Sequence, residues 1–135
     1  MNRKSAILLI CICVVTLCGV AFAVTNVKHG SLMNASGDTT IDMADANPFK
    51  QVHLHLTSNA TLYATNVTID HVLFLAVHQH AMNSYTLTWD TNMFIFGDAG
   101  LPTNTIPAKS RDNFIFGGGA NGNLFEFSRS IDVSK

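Results

Sequence analysis

The chain has 135 residues, of which 47% are apolar and only 13% charged. That length suits one domain, and high hydrophobicity with low charge excludes an intrinsically disordered chain. The formal net charge is −1, and with no basic patch a nucleic-acid partner has no electrostatic footprint to meet.

Residues 1–23 stand apart. Arg3 and Lys4 form a short basic start, and Ala6 to Ala23 then runs without a charge and ends in Ala21-Phe22-Ala23. A basic start, an apolar stretch and small residues at the last and third-last positions are the layout of a secretory signal peptide. Eighteen uncharged residues can also just span a bilayer, so the alternative is a protein anchored in the membrane by residues 6–23. Lipid attachment at Cys18 is disfavoured by the bulky Leu17 before it.

Cleavage after Ala23 would remove Arg3 and Lys4 and all three cysteines (Cys11, Cys13, Cys18). The remainder then carries no thiol, which excludes thiol catalysis and cysteine-ligated zinc. An exported domain without disulfides is held by its core, a partner or a metal.

Residues 24–49 are polar and weakly patterned, and predict an extended arm with at most one short strand near Thr40–Met43. From Lys50 the apolar period is close to two. Val52, Leu54 and Leu56 point one way, and Gln51, His53, His55 and Thr57 the other. Thr61–Val67 continues the pattern after a turn at Ser58-Asn59-Ala60. Asp70–Val77 is apolar on both faces, as in a doubly buried strand. Ser84–Asp90 alternates, with Tyr85, Leu87 and Trp89 inward. Met93–Phe96 is a short apolar strand, followed by loops around Gly97–Pro102 and Pro107. Asn113–Phe116 and Leu124–Phe127 flank a Gly/Asn-rich loop and predict a hairpin. No segment beyond the N-terminus has a sustained helical period. The prediction is therefore all-β: a single antiparallel, jelly-roll-like β-sandwich over residues 50–135, behind a signal helix and an arm at 24–49.

The order of these elements carries a resemblance. From about Asn47 to Val133 come the Val52-His53-Leu54-His55-Leu56 strand, Asn59-x-Thr61-Leu62, the Asn66 turn and the strand from Leu73 to Gln79. Ser84–Trp89, Gly97 with Pro102, Arg111-Asp112, Phe114–Phe116 and Leu124–Ser128 follow. In that order the sequence resembles a small β-domain of tail-fibre and other structural proteins of tailed bacteriophages. The resemblance implies a structural or receptor-contacting role, often as a trimer, with no catalytic residues to carry over. A signal peptide and a lone domain both depart from that family's pattern, and imply recruitment to a secreted or cell-surface role.

Two His-x-His pairs, His53/His55 and His78/His80, are the candidate metal ligands. On a strand, residues i and i+2 share a face, so one pair can reach one ion. The pairs could meet in one chain, or three chains could each supply a pair on a threefold axis. The competing reading is solvent-facing histidines with no ligand. Asn34, Asn59 and Asn66 head Asn-x-Ser/Thr sequons, which matter only where the host glycosylates exported protein.

Nothing points to an enzyme. No Gly-x-Ser-x-Gly elbow is present, and Glu126 is the only glutamate. Asp90, Asp98 and Asp112 read as turn and strand-end residues. Gly117–Gly119 lacks the Lys-Ser/Thr of a phosphate loop. The expectation is a non-enzymatic, exported structural or adhesive protein that needs no cofactor. It associates with itself as a trimer or filament, and touches a receptor or surface glycan through loops and sheet edges. The alternative is a secreted carbohydrate- or metal-binding module built on the histidine pairs.

Overall fold

The computed structural model describes residues 30–102 and 108–131. The expected signal peptide lies outside the described residues. Among the described residues seven strands form: β1 (Ser31–Asp42), β2 (Phe49–Thr65), β3 (Val72–His78), β4 (Leu87–Trp89), β5 (Phe94–Ile95), β6 (Arg111–Gly118) and β7 (Leu124–Ser130). The described residues are all-β, and none of their segments is a helix long and apolar enough to cross a membrane. One curled mixed sheet runs β1-β2-β3-β6-β7-β5, with β4 also on β2.

β1 lies parallel to β2, from Ser31 beside Val52 to Asp42 beside Thr65. Flat strands of that length would be roughly 36 Å long. The link between them, Met43–Pro48, could span at most about 20 Å. The strands must therefore curl until the end of one returns to the start of the next. Lys50 accordingly reaches back to the Asp42 carbonyl at 2.5 Å, and Met43 N–H donates to Thr65 O at 2.9 Å. Next, the first part of β2 pairs in parallel with β3 and its second part with β4. The chain thus winds as a coil whose turns stack at spacings of roughly 21–27 residues.

Each turn bends at one corner. In β1 the corner is Ser36, before Gly37 at φ 60°. In β2 it widens to Thr57-Ser58-Asn59, where the register shifts and Thr57 Oγ1 donates to Ala35 O at 3.1 Å. Between β3 and β4 it becomes the loop Gln79–Thr86. That loop is pinned by Gln79 Nε2 donating to Tyr85 O at 2.7 Å and by Thr86 N–H donating to Asn59 Oδ1 at 2.9 Å.

The inside of the coil is apolar. Val52 and Leu54 of β2 lie beside Leu75 and Val77 of β3, and Leu62 lies beside Trp89 of β4, all buried. Trp89 sits amid Phe94, Phe96, Phe114 and Phe116, with ring centroids 5.0–6.0 Å away. This cluster joins β4 and β5 to the antiparallel β6–β7 hairpin closing the coil. Edge-to-face pairs of this kind add about 0.5–1.5 kcal/mol each beyond their burial.

Several expectations are corrected. β1, β2 and β3 are parallel rather than antiparallel, and one curled sheet stands where an antiparallel jelly-roll was expected. Side-chain alternation reports which face a residue takes and is blind to strand direction. The short strand expected near Thr40–Met43 is the end of the twelve-residue β1. Its polar look follows from its position at the edge of the sheet. β3 is not doubly buried: Leu73, Leu75 and Val77 face in, while Phe74 faces out. The turn expected at Ser58–Ala60 is a bend within β2. The predicted hairpin is present, with its turn closed by Gly119 N–H to Asn123 O at 2.8 Å.

Candidate functional site

The register of the parallel strands decides what the outer wall presents. Asn34 of β1 lies beside His55 of β2, His55 beside His78 of β3, and His78 beside Arg111 of β6. All four side chains alternate with core residues, so the row faces outward. The next row sets Leu32, His53, Ala76 and Asn113 side by side.

Three of the four candidate metal ligands meet here. The rings of His55 and His78 stack at 4.4 Å with 5° between planes. His53 Nδ1 is 3.1 Å from His78 Nε2, so one nitrogen donates to the other, and Gln51 Nε2 lies 3.2 Å from His53 Nε2. His80 is not part of the stack. Its ring lies edge-on to Tyr85, and its Nδ1 accepts the Met82 N–H at 3.2 Å. The near-parallel rings of His55 and His78 direct their nitrogens within parallel planes, away from a shared point. Among the described residues no group of three or more His, Cys, Asp or Glu is placed to hold a metal ion.

Above the row, the widened corner leaves a cleft of about 430 Å³. His55, His78, His80, Lys109 and Arg111 line it, with hydroxyls from Thr57 and Ser110, and no carboxylate is among the lining residues. Lys109 takes φ 67° on the way into β6, and its N–H donates to His80 O at 3.1 Å. Arg111 Nε is buried with no hydrogen-bond partner. Both ion pairs among the described residues, Lys50–Asp45 and Arg129–Glu126, lie elsewhere.

This cleft is not legible in the sequence, because Lys109 and Arg111 lie about thirty residues beyond His78, and the antiparallel pairing of β6 with β3 that brings them there is a tertiary fact. The other end of the same wall is apolar. Phe49 and Phe74 touch at 6.2 Å, and Phe127, 70% exposed, lies across Gly117.

The sequon asparagines have different surroundings. Asn34 is exposed beside the cleft. Asn59 holds the corner loop through its Oδ1. Asn66 has φ 55° and donates to Asp42 Oδ1 at 2.8 Å. That bond and the Ala44 N–H hold the Asp42 carboxyl below the usual carboxylate range, with Lys50 adding to the effect. Asp90 is the turn residue expected, its carboxylate accepting the Asn92 N–H at 3.0 Å. Asp112 instead faces inward within β6 and is only 3% exposed.

A scan against family models finds no match, and neither curated proteins nor solved structures yield one.

Proposed function

We propose that the protein is an exported structural or attachment subunit that associates with copies of itself. The observation that carries this reading is the edge of β1. Among the described residues this twelve-residue strand pairs only with β2, so its other side presents a row of backbone donors and acceptors. A stack of parallel strands ending in an open strand is a template for one more strand. No Lys, Arg or Pro blunts β1, and Leu32 on it is 72% exposed. A head-to-tail contact made this way closes into a ring, such as a trimer, or continues as a filament. The resemblance to phage fibre domains supports the same reading. Export rests on the signal-like residues 1–23. The finer sandwich architecture is retained only as part of that resemblance.

The test is the solution mass of residues 24–135 by light scattering, for the native sequence and for Leu32→Lys and Thr40→Lys. A discrete oligomer or open polymer that falls to monomer in the lysine variants is the expected result. A native protein that stays monomeric at every concentration would remove self-association from consideration.

One observation favours a second reading, a metal-binding module. Two nitrogens each about 2.0–2.1 Å from one ion lie about 3 Å apart, and His53 Nδ1 and His78 Nε2 are 3.1 Å apart. Two donors per chain would need ligands from other copies to complete a site. Dissociation of the oligomer by a chelator would select this reading, and indifference to chelator would end it.

A further inference from the structure

The cleft at the widened corner has a chemistry of its own. Two basic side chains, Lys109 and Arg111, line it together with three imidazoles and two hydroxyls. No carboxylate among the lining residues neutralises them. Asp112, next in sequence, turns to the opposite face of β6 and into the interior. A cationic concavity walled by buried strands attracts anions more strongly than the same charges spread over a surface.

A second observation points to a ligand. Arg111 Nε is a buried donor without a partner, and such groups are rare in a finished structure. A guanidinium presents its donors as a planar fork that matches an oxyanion. His80, whose Nδ1 accepts the Met82 N–H, carries its ring proton on the other nitrogen and adds a donor to the lining.

We propose that the cleft framed by His55, His78, His80, Lys109 and Arg111 binds a tetrahedral oxyanion, a sulfate or phosphate group. Arg111 provides the planar fork, Lys109 a movable charge at the rim, and His80 a further donor. The group is either a free ion or an ester on a polysaccharide. A cleft of about 430 Å³ open at one side has room for the sugar that would carry it. Of the β1 edge this site shares only Asn34, and none of its proposed ion-binding groups, so either proposal can fail alone.

The experiment titrates the full chain, in mild detergent, with inorganic sulfate and separately with a sulfated heparin oligosaccharide. Amide shifts are followed by NMR. Lys109→Asn removes the rim charge and retains a residue that tolerates φ 67°. Arg111→Gln removes the fork. The expected result is sulfate binding with shifts at His55, His78 and Ser110, weakened about ten-fold by Lys109→Asn and lost in Arg111→Gln. An oligosaccharide that binds tighter than sulfate, and loses affinity in the same variants, identifies the polysaccharide-borne group. Equal affinity for both probes identifies the free ion. Binding unchanged in Lys109→Asn, or no binding of either probe by the folded native chain, overturns the proposal. Lys109 is exposed, so this variant decides even where Arg111→Gln does not fold.

Discussion

Replacing Gly118 with alanine adds one methyl group where β6 meets the turn that leads into β3. The new Cβ would lie 1.8 Å from Thr68 O and 2.9 Å from Thr68 C, both backbone atoms. Non-bonded carbon contacts settle near 3.5–4.0 Å, so turn or strand must move by more than about 1 Å. Two hydrogen bonds depend on that contact: Gly118 N–H to His71 O at 2.7 Å crosses it, and His71 N–H to Thr68 O at 3.0 Å closes the turn. Each contributes about 1 kcal/mol net. Overpacking a fitted contact costs about 1–3 kcal/mol more. The sum, about 3–5 kcal/mol, is a large part of the 5–15 kcal/mol typical of a domain. Urea unfolding followed by Trp89 fluorescence measures it. Two neighbouring substitutions calibrate the result. In Gly117→Ala the three atoms nearest the new methyl belong to the end of the exposed Phe127 ring, which can swing away, so the cost is below about 1 kcal/mol. In Gly97→Ala it meets nothing within 4 Å, and stability changes by less than about 1 kcal/mol. Gly118→Ala within about 1 kcal/mol of the native protein would refute the contact.

Trp89→Ala empties the centre of the aromatic cluster, and a loss of about 3–5 kcal/mol is expected in the same unfolding assay. A loss below about 1 kcal/mol would mean that β4 does not pack on β6. Gln79→Met removes the amide that donates to Tyr85 O and accepts from His80 N–H. A cost of about 2–3 kcal/mol, with broadened amide signals across residues 79–86, is expected. Unchanged signals would show that the loop is held elsewhere. Asn66→Gly keeps the backbone geometry and removes the main cause of the lowered Asp42 pKa. A lowered native pKa contributes stability that is present above the ordinary carboxylate range and lost as the pH falls through the native value. The variant should therefore lose less stability than the native protein between neutral and acid pH, and equal acid slopes would contradict this.

Much of the fold was legible residue by residue. The alternation in Val52, Leu54 and Leu56 correctly named the inner face of β2, and the inward placing of Leu87 and Trp89 holds as well. The Gly/Asn loop announced the β6–β7 hairpin through its turn chemistry. Strand direction was not legible, because a parallel and an antiparallel partner bury the same alternate residues. The coil was hidden for a related reason. Its turns share a spacing but no sequence, since the corner grows from Ser36 to Thr57–Asn59 to Gln79–Thr86. Of the site, the histidine pairs were visible, yet the contact joins His53 and His55 to His78 alone. The register pairs His55 with His78, and not His53, which leaves His80 beyond the end of β3.

That register also links the two proposals. Asn34 belongs both to the open edge of β1 and to the row that floors the cleft. A second copy adding a strand along β1 would extend the row Asn34–His55–His78–Arg111 by one more residue. It would also cover the rim of the cleft, where a bound oxyanion offsets the charge of Lys109 and Arg111 that would otherwise be buried unpaired. Assembly should then strengthen as sulfate is raised at constant ionic strength, and Lys109→Asn should move that dependence to about ten-fold higher sulfate while leaving the edge intact. Light scattering across a sulfate–chloride exchange reads both effects. Assembly indifferent to sulfate, in a protein that binds sulfate and self-associates, would show that edge and cleft act separately despite sharing Asn34.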